Sequence, residues 1–152
     1  MANDQILALA ETYRSAAAER MASAIELYEK RRFVEANYLA GLAVECVLRG
    51  YRVRMDPKFD ARHDVDRLYK LARFGDIVPR HEVQQVGGAI GDVVALWSND
   101  HRYLSEAALR KRWVKRGLFR GIRGDFLKER TRQLLNSAQK IVNIGVVRWT
   151  HS

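Results

Sequence analysis

Ile6, Ala10, Tyr13, Ala17, Met21, Ala24 and Tyr28 recur at spacings of three or four residues. That interval puts side chains on one stripe of an α-helix. It predicts a long amphipathic helix over residues 4–29, with Asp4 as its N-cap. The interval returns in Ala36, Leu39, Ala40, Ala43, Val47 and Gly50, giving a second helix from Phe33 to about Tyr51. The small residues on that face let a neighbouring helix approach closely. No segment alternates apolar and polar residues over a strand's length, so no sheet is expected. The chain must therefore bury helical stripes against one another. The fold class is all-α, an up-and-down antiparallel bundle of about five helices joined mainly by short connections.

With 152 residues the chain makes one domain, residues 1–152. Pro57 disfavours helical geometry at Asp56 and opens the first loop. A third, shorter helix is expected to open at Arg62-His63-Asp64, turn Val65, Leu68, Tyr69 and Ala72 inward and stop at Gly75. A fourth is expected from Pro79 through Val83, Val86, Ile90 and Val93 to about Tyr103. Gly87, Gly88 and Gly91 lie inside it, and either close helix contact or a local break at Gly87-Gly88 would account for them. Residues 105–124 read as a basic connecting segment. A last helix runs over about 125–145, with Asp125 as cap and Leu127, Leu134, Ala138, Ile141 and Val142 buried.

The residue inventory excludes several function classes. No glycine-rich phosphate loop ending in Lys-Ser or Lys-Thr is present. His63, His81, His101 and His151 are scattered, without the spacing a zinc site needs, so neither metal nor cofactor is expected. The single cysteine, Cys46, lies in an apolar run and reads as a buried thiol in a reducing compartment. The opening residues have no cationic start leading into an apolar run, and no stretch approaches the ~20 apolar residues of a membrane span. A cytoplasmic protein without membrane contact is expected. The net charge of +9 favours a polyanionic partner.

Two segments concentrate polar chemistry. Leu96 and Trp97 lead into Asn99, Asp100, His101, Arg102 and Tyr103, which gather an amide, a carboxylate, an imidazole, a guanidinium and a phenol. On a continuous helix, Val93, Val94, Leu96 and Trp97 would face the core, with Asn99, Arg102 and Tyr103 grouped beside them. His101 and Arg102 would also complement the negative end of that helix. The second segment carries Arg110, Lys111, Arg112, Lys115, Arg116, Arg120 and Arg123 without an acid, interleaved with Trp113 and Phe119. Cations track phosphates and aromatic rings stack on unpaired bases, so this composition suits single-stranded nucleic acid. A solvated loop with its two aromatics folded onto the core has the same composition.

Three features in this order and spacing resemble the HEPN family of helical domains. The first is the small-residue helix containing Ala36, Tyr38-Leu39-Ala40 and Ala43-Val44-Glu45-Cys46-Val47-Leu48-Arg49. The second is His63-Asp64-Val65 with Leu68 one turn later. The third is Trp97 followed by Arg102-Tyr103. The resemblance implies an up-and-down bundle that dimerises through long helices. Ribonuclease members pair an arginine with a later histidine on the fourth helix and cut RNA without metal across the dimer. Non-catalytic members accompany small nucleotidyltransferases. In the pattern ending His-x-Tyr, matched here by His101-Arg102-Tyr103, the arginine falls at the position of Leu96, and reading forward from Arg102 finds Glu106, Ala107 and Ala108 where a histidine is required.

The expected function is therefore a non-catalytic, HEPN-like binding module, acting as a homodimer. Asn99, Asp100, His101, Arg102 and Tyr103 would form an anion or nucleotide pocket. Glu45 would be a buried partner orienting Arg102, with His63 and Asp64 as structural polar residues, and residues 110–123 would add affinity for RNA. One alternative is a divergent metal-independent ribonuclease of toxin-antitoxin type, using His101 and Arg102 across a dimer. Another is an interaction module that masks a nucleotidyltransferase-type partner.

Overall fold

A computed structural model describes residues 3–58 and 62–149. Its six α-helices are α1 (Asn3–Glu29), α2 (Phe33–Met55), α3 (Val65–Leu71), α4 (Val83–Leu96), α5 (Glu106–Lys115) and α6 (Phe126–Val147). Short 3-10 turns at Phe74–Asp76, Arg80–Glu82 and Asn99–Tyr103 complete the order, and no strand occurs among the described residues. The chain is an all-α bundle. His151 lies outside the described residues.

A three-residue turn joins α1 to α2, and the two run antiparallel: Tyr28 meets Phe33 at one end, while Gly50 lies against the Ala10 carbonyl at the other. Ala10, Ala17, Met21 and Ala24 are the buried stripe of α1, and small side chains there let α2 approach closely. α4 and α6 form the second antiparallel pair, joined by Asp92 to Gln133 and Ser137 and by Gln85 to Lys140. α2 lies at the centre and is buried on nearly every side, with α1, α3 and α6 each covering part of it. Its fully buried Val44, Val47 and Leu48 meet Leu134, Ala138, Ile141 and Val142 in one continuous core. Burying each such aliphatic side chain contributes about 1.5–3 kcal/mol. Tyr51 donates its hydroxyl proton to the Gly145 carbonyl at 2.5 Å, fixing the ends of α2 and α6 side by side.

Four expectations change: the cap of α1, the start and facing residues of α4, the end of α4, and the nature of residues 105–124. Asp4 lies within the first turn of α1 and is not its cap. α4 starts at Val83, after Pro79 and a 3-10 turn, and passes Gly87-Gly88 without a break. Gly87, Gly88 and Gly91 point outward and no neighbour lies where a Cβ would sit, so the expected helix contact through them does not occur among the described residues. Val94 is 50% exposed, whereas Val93, Leu96 and Trp97 are buried.

The third change is that α4 stops at Leu96. Trp97 is extended, at φ −122° and ψ 143°. Its ring covers Gly41 of α2, and its Nε1 donates to the Tyr38 carbonyl at 3.0 Å. A helical Trp97 would lose both anchors. The fourth concerns residues 105–124, which are only partly a connection. Ser105 caps α5 by accepting from the Ala108 amide, and helix formers from Glu106 to Arg112 extend it for ten residues. A true connection begins at Gly117, where left-handed backbone at Gly117, Gly121 and Gly124 turns the chain back. Asp125 caps α6 as expected, accepting from the Leu127 and Lys128 amides, and the helix runs two residues past Gly145.

Candidate functional site

α2 organises the polar chemistry through one row of residues. Asn37, Gly41 and Glu45 follow one another at intervals of four, on one face of the helix. Asn37 is fully buried, and its Nδ2 donates to the Leu96 carbonyl at 3.2 Å. That bond turns Asn37 Oδ1 toward His101 Nδ1, 2.7 Å away. Gly41 receives the Trp97 ring. Glu45, also buried, has Oε1 2.6 Å from His63 Nδ1 and 3.8 Å from an Arg49 nitrogen.

His101 is 2% exposed. Because Asn37 offers an oxygen, the neutral imidazole carries its proton on Nδ1 and keeps its lone pair on Nε2. Nε2 makes no hydrogen bond among the described residues. Burial depresses the pKa from its usual 6.5 to about 4. Asp100 works against that shift, and Arg112 and Arg116 add to it. His101 is thus a neutral hydrogen-bond acceptor at physiological pH.

The ring lines a cavity of about 390 Å³ between the end of α1, the start of α2 and the turn at Asn99–Tyr103. Leu27, Val34, Tyr38, Leu39 and Leu104 form apolar walls, with Glu35 and Arg102 as the charged groups. Arg32 bonds the Glu35 carboxylate at 2.9 Å and holds its pKa below the usual value. Arg102 lies 4.6 Å from the centre of the Tyr103 ring, which is 75% exposed. His101 and Arg102 therefore line one cavity within a single chain, which adjacent residues on a straight helix would not do.

The expected pocket is only partly assembled. Asn99 lines a separate cavity of about 250 Å³ with His63, Asp64, Asp66, Trp97 and Ser98. Asp100 accepts from Ser98 at 2.6 Å and pairs with Arg112 at 3.0 Å, tying this turn to α5. Glu45 does not orient Arg102; it binds His63, because α3 delivers the imidazole to its side of α2 while Arg102 lies toward α1. His63 and Asp64 do not pair with one another, since Asp64 caps α3 by accepting from the Arg67 amide at 2.9 Å. Burial pushes the Cys46 thiol up to about 11, leaving it protonated at neutral pH.

Sequence reading missed Asn37, Glu35 and Tyr38. A signal existed for Asn37: it follows Phe33 by four residues and precedes Gly41 by four, so an amide shares the core-facing row with Glu45, the carboxylate already read as buried.

The seven cations of residues 110–123 separate into two sets. Arg110 pairs with Asp125 and Glu106, Arg112 with Asp100, and Arg116 donates to the Ala95 carbonyl. Lys111, Lys115, Arg120 and Arg123 have no carboxylate partner among the described residues. Trp113 is completely buried and is lost as a stacking surface, whereas Phe119 is 41% exposed beside the unpaired cations.

The state of His101 predicts a pH effect. Above about pH 6.5 the ring is neutral in the folded and unfolded chains alike. Between about 6.5 and 4 the unfolded chain takes up a proton that the folded chain refuses, so stability falls with pH. At about 1.4 kcal/mol per unit, the loss reaches about 3 kcal/mol. Urea melts of wild type and His101→Gln across this range should diverge by that amount as pH falls; parallel profiles would contradict a buried neutral ring.

No trio of His, Cys, Asp or Glu side chains among the described residues is placed to hold a metal ion. No helix among them is long and apolar enough to cross a membrane. Comparisons of the chain with protein-family models, with curated proteins and with solved structures find no match.

Proposed function

We propose that this chain is a non-catalytic, HEPN-like module that binds RNA or a nucleotide. The observation carrying the proposal is the His101 cavity, which joins a neutral imidazole acceptor, apolar walls and Arg102 in one place. The Asp100–Arg112 ion pair sets that cavity beside α5, whose outer face carries Lys111 and Lys115. Phosphates would follow the cations of α5 and the turn after it, Lys111, Lys115, Arg120 and Arg123, with Phe119 as a stacking surface. Such contacts position a strand and give affinity without reading its sequence.

Fluorescence anisotropy of a labelled single-stranded RNA tests this directly. Affinity should fall steeply between about 50 and 200 mM salt, at about 0.7 in the log–log slope per phosphate contact. Replacing Lys111 and Lys115 together by alanine should flatten the slope by about 1.4. Binding that is absent, or indifferent to salt, rejects the proposal.

One observation favours a second reading, a metal-independent ribonuclease. His101, whose Nε2 has no protein partner among the described residues, and Arg102 line one cavity, as a proton acceptor and a stabiliser of phosphate charge would need to. Metal-free cleavage of a mixed RNA pool, lost in His101→Ala purified in parallel, would establish it. Intact RNA with both proteins would reject it.

A further inference from the structure

We infer that the His101 cavity holds a single unstacked nucleobase bearing an exocyclic amino group, in preference to uracil. This inference rests on the RNA-binding reading and adds what the pocket selects.

The cavity presents a short and one-sided polar inventory. Asn37 consumes the Nδ1 proton of His101, so the imidazole offers only the Nε2 lone pair. That nitrogen belongs to a side chain almost wholly removed from solvent and has no protein partner among the described residues. Nε2 is not one of the fully buried unpaired atoms, so it keeps a small opening to solvent. A ligand donor reaching it through that opening would make the one hydrogen bond the ring lacks. The second acceptor, the Glu35 carboxylate, lies in the same cavity with Arg32 attached. The one cation among the lining residues, Arg102, lies over Tyr103 at 4.6 Å.

The remaining lining side chains are Leu27, Val34, Tyr38, Leu39 and Leu104. They suit a flat apolar body, and about 390 Å³ is near the lower end of ligand-pocket volumes, enough for one base and too small for a stacked run. The complementary ligand has a donor at its deep edge, a planar body and an anion at its outer end. Adenine, cytosine and guanine carry exocyclic amino donors. Uracil places carbonyl oxygens at the positions of those amino groups, and its N3–H donor lies between two of these oxygens. A uracil seated in the adenine or cytosine pose therefore turns an oxygen toward the Nε2 lone pair and is repelled. A site built to accept a hydrogen bond discriminates strongly against a ligand lacking the donor, because the protein group is then left unpaired.

Calorimetric titration of the wild-type protein with adenosine 5′-monophosphate and purine riboside 5′-monophosphate isolates the amino group, since the two differ only there. The adenosine nucleotide should bind about tenfold more tightly, and A-rich single strands should bind about tenfold more tightly than U-rich ones. His101→Phe keeps a flat ring without the acceptor and should abolish both differences. Equal affinities in wild type, with salt-dependent RNA binding intact, overturn the pocket inference alone. Failure to bind any RNA overturns the parent reading and this inference together. Because the nucleotide comparison uses the unaltered protein, a misfolded variant does not obscure the result.

Discussion

Gly41→Ala is expected to destabilise the protein by about 2 kcal/mol or more, against the usual sign for this substitution in a helix. In an ordinary helix interior, alanine is preferred over glycine by up to about 1 kcal/mol. Here the new Cβ would overlap the Cγ, Cδ1 and Cδ2 atoms of Trp97. The ring has little room to retreat: it is 7% exposed, stacks on Tyr38 at 6.5 Å between centroids and is held through Nε1 to the Tyr38 carbonyl. Overpacking of this kind typically costs about 1–3 kcal/mol. For a chain of this size a loss near 2 kcal/mol lowers the melting temperature by roughly 4–8 °C. In a Trp97→Ala background the same change should become neutral or stabilising, because the clash is gone. A double-mutant cycle measures that coupling. If Gly41→Ala melts at or above wild type with Trp97 in place, the ring does not sit over α2 as described.

Asn37→Leu should cost more. The substitution keeps the branched heavy-atom skeleton while adding bulk, and it strips partners from two buried groups at once, the Leu96 carbonyl and the Nδ1 proton of His101. Each buried group left unpaired costs about 1–3 kcal/mol, giving roughly 2–6 kcal/mol for the two and a fall of roughly 4–24 °C in melting temperature. A milder exchange separates packing from chemistry. Asn37→Asp keeps an oxygen toward His101 and adds charge beside it, so the imidazole pKa should rise from about 4 toward its usual 6.5. Proton NMR of the His101 ring reads this directly. An unchanged His101 titration in Asn37→Asp would show that Asn37 does not set the state of the ring.

Most of the fold was legible because helical periodicity is a local property. The stripes Ile6 to Tyr28 and Leu127 to Val142 needed no tertiary information, and Asp125 capped its helix as its type suggests. The site was legible only in part. His101 and Arg102 were visible as chemistry, but their placement depended on α4 ending at Trp97, a break imposed by the notch at Gly41 fifty-six positions earlier in the chain. Glu45 was recognisable as a buried carboxylate needing a partner, while the identity of that partner depended on where α3 docks. For the basic segment, composition could not separate Arg110 and Arg112, which carboxylates neutralise, from Lys111 and Lys115, which point to solvent. One residue of rotation on α5 decides between those fates.

The row Asn37, Gly41 and Glu45 behaves as a ruler. Each mark sets one feature: the tautomer of His101, the seat of Trp97 and the position of His63. Inserting one residue between Phe33 and Asn37 would rotate that row by about 100° against everything preceding it, while leaving composition and helix propensity almost untouched. Two of the marks carry exchangeable chemistry and one carries empty space. An engineer wishing to retune either cavity has side chains to vary at 37 and 45, but the gap at 41 must stay, because it is the origin from which the other two distances are measured.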